Sequence, residues 1–330
     1  MRAALLLAVV TVGFYWKLTL RPGFTFLDSP DLAYMVLPWY QFQARAWHAG
    51  GFPLWDPYQW CGQSLLGQMQ PGAAFPLNWP LFWAPLESGG LNLTLFHWHY
   101  VAMHWLAAVF MYYYCRELGC SRTASGLAAC GFSLGGFLGT AAWPQVMNGG
   151  LWMPLIFLFY HRAGRAGAPL ARAANSAACG AAIGMALLAG HHQVQLFVLL
   201  ALTGVFLYDW TTAPRKAARA GSFALAAVFA ALVGGLVLAP AWEYGSRSYR
   251  WVNLPSPLRH NETVPYIGHT PFAVPPRSLL GVVTPLEGAV ANPFIGVVAA
   301  SLAMLGVAAC WSTRLVRVHA CLALAGLAFS

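Results

Sequence analysis

The stretch GSFALAAVFAALVGGLVLAPA at residues 221–241 contains no charged side chain. A helix needs about 20 mostly apolar residues to cross about 30 Å of hydrocarbon, and this stretch has that length. Seven more such segments lie at 3–20, 93–114, 123–141, 150–161, 174–190, 194–210 and 291–311. A ninth apolar run begins near Val318 and stops at Ser330, which we interpret as a span cut by C-terminal truncation. The sequence predicts an all-α fold, a polytopic transmembrane helical bundle forming one domain over 1–330.

The composition agrees with a membrane protein. Of the 330 residues, 59% are apolar and 8% are charged, against about 45–50% and about 25% in soluble domains. A soluble protein of this size would need far more surface charge. These values exclude a soluble enzyme, a disordered chain and a disulfide scaffold.

The basic residues predict the orientation of the spans. Eleven of the eighteen Lys and Arg residues lie at the N-terminus or in four short connections between spans. Such loops are usually cytoplasmic. The N-terminus is then cytoplasmic, and two long loops, 21–92 and 242–290, lie outside. Anionic membrane lipids account for the net charge of +9, so no nucleic-acid partner is implied.

The first outer loop contains an amphipathic segment at 31–48. Its aromatic and polar residues alternate at near-helical spacing. We therefore expect a helix lying in the membrane interface, with Tyr34, Trp39, Tyr40 and Trp47 at the level of the headgroups.

Asp28 and Asp31 form an Asp-x-x-Asp motif just outside the first span. Two carboxylates within one helical turn can share a divalent cation such as Mg²⁺ or Mn²⁺, or one of them can act as a general base. The alternative is that both are ordinary acidic residues at a helix start.

Two other groups are candidates for binding a phosphate. His191 and His192 lie at the outer end of the fifth predicted span, and Arg247 and Arg250 lie at the outer end of the seventh. Arginine forks suit a lipid phosphate, and paired histidines can bind a phosphate or a metal. The alternative is that all four anchor the chain at the interface.

Several short motifs occur in a fixed order along the chain. They are Asp31 with Pro38, PLWDPY at 53–58, Gly62, Gln70, FPLNW at 75–79, WMPL at 152–155, GHHQ at 190–193 and APAWEYGSR at 239–247. This set resembles the YfhO-like family of bacterial polytopic membrane proteins, which is grouped with the C-type glycosyltransferase (GT-C) fold.

The resemblance implies about eight full spans plus the truncated ninth in a GT-C-like arrangement, with interfacial helices in the large first outer loop. It also implies a donor sugar carried on a polyprenyl phosphate. Asp31 matches the position of the expected catalytic base, and Asp28 is the second candidate. Asp56 stands where the family commonly has Asn.

We therefore predict an inverting glycosyltransferase in the bacterial cytoplasmic membrane, acting on a cell-envelope glycan, lipid or protein acceptor on the outer side. Arg247, Arg250, His191 and His192 would hold the donor phosphate. The sugar would contact Trp39, Trp55, Tyr58 and Gln70. A divalent cation at Asp28 and Asp31 is optional, because arginine can neutralise a leaving phosphate. The alternatives are a transporter or lipid flippase, and a non-catalytic envelope-assembly protein.

Overall fold

The computed structural model describes residues 2–212, 214–250, 256–265, 276–284 and 294–328. The described chain is mostly helical. The first helices are α1 (Arg2–Phe14), α2 (Trp16–Leu20), α3 (Leu37–His48), α4 (Leu65–Gln68), α5 (Trp79–Trp83), α6 (Leu93–Glu117), α7 (Arg122–Leu134) and α8 (Gly136–Gly139). The later helices are α9 (Pro144–Gly150), α10 (Met153–Arg165), α11 (Pro169–Leu188), α12 (His192–Thr212), α13 (Lys216–Arg247), α14 (Gly296–Cys310) and α15 (Arg314–Ala328). A π-helix at Leu32–Val36 leads into α3, and short 3₁₀ helices occur at Pro76–Asn78 and Pro276–Val282.

The prediction of eight spans and a ninth is wrong. Among the described helices, only α12 and α13 are both long enough and apolar enough to cross a membrane. At about 1.5 Å per residue, the 13 residues of α1, α7 or α10 rise about 20 Å, which is short of the hydrocarbon thickness. The apolar runs were longer than the helices because the backbone turns inside them, as at Tyr15 and Gly135.

Two longer helices, α6 and α11, are not candidate membrane spans because they are too polar. α6 has 25 residues but carries three histidines and several tyrosines, and α11 contains Arg172, Asn175 and Ser176. By contrast, only 17% and 22% of the most apolar windows of α12 and α13 are buried by the rest of the protein. Such exposed apolar faces favour a lipid environment over water.

The interior of the helical part is built on small residues. α11 packs closely against α13 because Gly180 faces the backbone of Ala226 and Gly184 faces Val233. Small residues let helix backbones approach one another in this way. Around this contact lies a cluster that includes Ile156, Phe157, Leu158, Cys179, Ile183 and Leu202.

Residues 21–92, which we call the cap, fold onto one end of the helices. In the cap, β1 (Trp55–Asp56) and β2 (Gln63–Ser64) form an antiparallel hairpin, with Trp55 opposite Ser64 and Asp56 opposite Gln63. The helix predicted at 31–48 is present as the π-helix and α3. Its predicted placement is wrong for Trp39 and Tyr40, which are buried against Leu81, Phe82 and Phe96 and do not face headgroups.

A second cap contact fixes the position of residues 63–75. Met69, Ala74 and Phe75 pack against Leu188 and Ala189 at the end of α11 and Val237 of α13. Gly67 of α4 lies against the ring of Tyr244, with no room for a Cβ atom. Tyr244 belongs to α13, which continues to Arg247, beyond the predicted span end at 241. Parts of the predicted loop 242–290 lie outside the described residues.

Candidate functional site

The two carboxylates of the Asp-x-x-Asp motif are exposed at the start of the π-helix. Asp31 has helical dihedral angles of φ −63° and ψ −41°, but it does not cap the helix with its side chain. Ser29 takes that role, because its Oγ accepts from the backbone N–H of Leu32 at 3.4 Å. Within the described chain, neither Asp28 nor Asp31 forms an ion pair, so both carboxylates are open to a ligand.

The predicted cation at these carboxylates stays a prediction. In the described ranges, no group of three or more His, Cys, Asp or Glu side chains is placed to hold a metal. Mg²⁺ is commonly bound by one or two carboxylates, with water and substrate phosphates completing its shell. Asp28 and Asp31 could therefore hold a cation only together with a substrate.

Two of the predicted residues, His191 and His192, lie at the junction of α11 and α12, and two others lie within reach of it. The rings of His191 and His192 are nearly parallel, with centroids 6.3 Å apart and planes at 15°. Arg250 is close enough for its charge to act on His192. At Gly190, with φ +102°, a Cβ atom would lie 2.9 Å from the Gln70 carbonyl oxygen, so the Gln70 backbone lies next to the residue that precedes the histidine pair.

The junction has features that suit an anion. His192 is the first residue of α12, and the free N–H groups of a helix start favour negative charge. Burial lowers the pKa of His191, and the imidazole of His192 lowers it further. His191 is therefore neutral near pH 7 and can donate one hydrogen bond there, while Arg250 supplies the fixed positive charge.

Arg247 and Arg250 differ in their surroundings. Arg247 forms an ion pair with Glu243, one helical turn earlier, at 3.0 Å, and both side chains are largely exposed. Arg250 follows the end of α13, and its backbone pairs with that of Leu258 through two hydrogen bonds of 2.8 Å. The backbone of Arg250 is thus held by a second segment, whereas Arg247 has only a weak surface pair.

The aromatic candidates divide into one buried and two exposed residues. Trp39 is 2% exposed and donates from Nε1 to Gln59 Oε1 at 2.8 Å, so it offers no ring face to a sugar here. Trp55 and Tyr58 are 57% and 83% exposed beside the cap hairpin. Asp56 is buried and accepts from the backbone N–H of Tyr58 at 2.9 Å, which gives it a role in shaping this turn.

Sequence reasoning missed a buried polar network centred on Asn78. Its Nδ2 donates to the Tyr40 hydroxyl at 3.3 Å, while its Oδ1 accepts from Asn148 at 3.2 Å and lies 3.1 Å from His99 Nε2. Burial raises the pKa of Tyr40, so its hydroxyl stays protonated. The signal was available as an Asn within FPLNW and a Tyr and a His within aromatic runs.

Gln145 lies beside this network with its amide unpaired. It is fully buried and sits three residues before Asn148 in α9, on the same side of the helix. Both of its amide atoms have no hydrogen-bond partner in the described part of the chain. Such a group is costly to bury.

No protein-family model, curated protein or solved structure matches this chain. The resemblance to the YfhO-like family therefore depends on the quoted motifs alone.

Proposed function

We propose that this chain is a membrane enzyme that transfers a sugar from a polyprenyl-phosphate donor to an envelope acceptor. The observation that carries the proposal is the histidine pair His191 and His192, with the Gln70 backbone close by, at the start of an apolar helix long enough to cross a membrane. A lipid lying along α12 would bring its phosphate to this junction. We infer that the junction lies at the outer face of a bacterial cytoplasmic membrane, with the N-terminus inside.

The proposed reaction is a single displacement at the anomeric carbon. The acceptor hydroxyl attacks that carbon, the bond from carbon to the phosphate oxygen breaks, and the polyprenyl phosphate leaves. Arg250 and the histidines would stabilise the negative charge on the leaving phosphate. Asp31 would take the hydroxyl proton, for which its exposed and unpaired carboxylate is suited. Mg²⁺ or Mn²⁺ held by Asp28 and Asp31 remains optional.

Within the protein, several groups would guide the substrates. The exposed rings of Trp55 and Tyr58 would contact sugar, and the Asn78 network would hold the cap in place against α6 and α9. The partners in this proposal are membrane lipids, the lipid-linked sugar and a glycan, lipid or protein acceptor.

The two arginines provide the test of the phosphate site. We expect Arg250→Lys to weaken binding of a sugar-free polyprenyl phosphate to protein in lipid nanodiscs, because the ammonium loses the planar fork. The comparison variant is Arg247→Lys at the second predicted phosphate arginine, for which we expect a smaller loss because Arg247 already pairs with Glu243. A third variant, His191→Gln, is tested in the same way. If all three variants bind polyprenyl phosphate as the wild type does, the junction is not the donor phosphate site.

A further inference from the structure

A second candidate site lies at the other end of α13. A pocket of about 140 Å³ opens where the connection between α10 and α11 meets the connection between α12 and α13. We call it the arginine pocket; its walls include Gly164, Arg172, Pro214, Arg215, Arg219 and Ser222. At about 1.5 Å per residue, the 32 residues of α13 are about 48 Å long, and this pocket lies at the end opposite Arg247.

The charge of the arginine pocket is positive and only partly compensated. None of its described lining residues is acidic. The nearest described acid is Asp209, which lies 3.9 Å from Arg219 but also contacts Arg314 and accepts from the Tyr160 hydroxyl. Arg172 donates to the Ala166 carbonyl oxygen at 3.3 Å, which leaves its positive charge without an acidic partner.

The guanidinium of the third arginine, Arg215, is free to bind an anion. The side chain of Arg215 is exposed, and in the part of the chain described it forms neither a hydrogen bond nor an ion pair. Arg215 is also the residue that precedes α13, and no side chain caps that helix start. The unsatisfied N–H groups of the first turn therefore add to the attraction for an anion.

Gly164 leaves space for the side chain of Arg219 at the pocket wall. The guanidinium of Arg219 lies directly against α10 at this glycine, where a Cβ atom would collide with it. The pocket thus combines three guanidinium groups, from α11, from α13 and from the residue before α13, with a helix start beside the exposed apolar surface of α13. A group with an anionic head and an apolar tail fits both parts.

We propose that the arginine pocket binds a phosphate group, carried by the headgroup of an anionic lipid whose chains lie along α13. Two sources share this chemistry, a lipid phosphodiester and free inorganic phosphate. The proposal favours the lipid because the apolar face of α13 continues from the pocket. It is independent of the sugar transfer proposed for the other end of the molecule.

The test measures stabilisation of the full chain in detergent by phosphatidylglycerol, by phosphatidylcholine and by inorganic phosphate. The double variant Arg172→Gln, Arg215→Gln is compared with Arg2→Gln, Arg122→Gln, which removes two exposed charges elsewhere. Each arginine near an anionic lipid contributes about fivefold to binding affinity. We therefore expect Arg172→Gln, Arg215→Gln to bind phosphatidylglycerol about 25-fold more weakly than the control variant. Arg172→Lys, Arg215→Lys should keep binding within a few-fold and show that folding is intact.

Comparing the three probes identifies the source of the phosphate. Stabilisation by phosphatidylglycerol but not by phosphatidylcholine or inorganic phosphate, lost in the glutamine variant, supports a lipid site. Stabilisation by inorganic phosphate alone, also lost in that variant, supports the phosphate site and assigns it to a free anion. The proposal is overturned if the glutamine variant and its control respond equally to every probe.

Discussion

Asn78 joins the cap to the helices α6 and α9 through side-chain hydrogen bonds. Its amide contacts Tyr40 of α3, His99 of α6 and Asn148 of α9. Each of these partners belongs to a different helix, so the amide specifies how three elements meet. A buried network that is satisfied in this way is worth more than its separate pairs.

Two substitutions to leucine test this difference between buried amides. Asn78→Leu leaves Tyr40, His99 and Asn148 without their partner, and we expect the free energy of unfolding to fall by at least about 2 kcal/mol. Gln145→Leu removes two unpaired polar atoms, so stability should stay the same or rise. Thermal unfolding in detergent measures both. An equal loss in the two variants would show that Gln145 has a partner, such as bound water, and that the network has no special weight.

At the scale of elements, the pairing of α11 with α13 depends on the absence of side chains at two glycines. A Cβ atom at Gly180 would meet the carbonyl oxygen of Ala226 and lie 2.7 Å from the Cβ of Phe229. Because one of these neighbours is backbone, the helices would have to separate. Gly131 in α7 has open space around it instead.

Alanine at these two glycines should therefore have opposite effects. We expect Gly180→Ala to lower the free energy of unfolding by about 1–3 kcal/mol, as for an overpacked core. Gly131→Ala should raise it by up to about 1 kcal/mol, because alanine favours the helix. Thermal unfolding of the purified variants checks both signs, and a stabilised Gly180→Ala would contradict close packing of α11 on α13.

The sequence predicted some elements well and others poorly, for physical reasons. The helix at 31–48 followed from its amphipathic spacing, but spacing alone cannot tell whether Trp39 and Tyr40 face lipid or protein. Asp209 pairs with Arg219 and Arg314, and Glu117 pairs with Arg162; these contacts between separate helices form only on folding. The span count failed because apolar composition does not reveal where a helix is interrupted.

The sequence indicated which residues could form the candidate site, but it did not show which of them lie close together. His191 and His192 lie next to the Gln70 backbone, although these residues come from separate stretches of sequence. Asp28 and Asp31 lie at the start of the π-helix, apart from that junction in the chain and without an ion pair in the described regions. The Asn78 network escaped notice because its members are single polar residues whose contacts exist only after folding.

On the scale of the whole molecule, the two apolar helices give a test of orientation. The connection containing residue 168 and the segment containing residue 256 lie at opposite ends of the helical part, since the first adjoins the arginine pocket and the second follows α13. In a cysteine-free background, Ala168→Cys should react with an impermeant thiol reagent only from the cytoplasm. Ser256→Cys should react only from outside, and its labelling from the cytoplasm would reverse the orientation.

The most direct measurement is the release of polyprenyl phosphate from a lipid-linked sugar by the purified full-length protein in nanodiscs, with an acceptor extract present. We expect release by the wild type and a fall of about 10²–10⁴-fold in Asp31→Asn, because general-base catalysis contributes about that factor. Asp28→Asn serves as the neighbouring control and should retain most activity unless both carboxylates hold a cation. Full activity in a correctly folded Asp31→Asn protein, or no release by the wild type, would contradict the account.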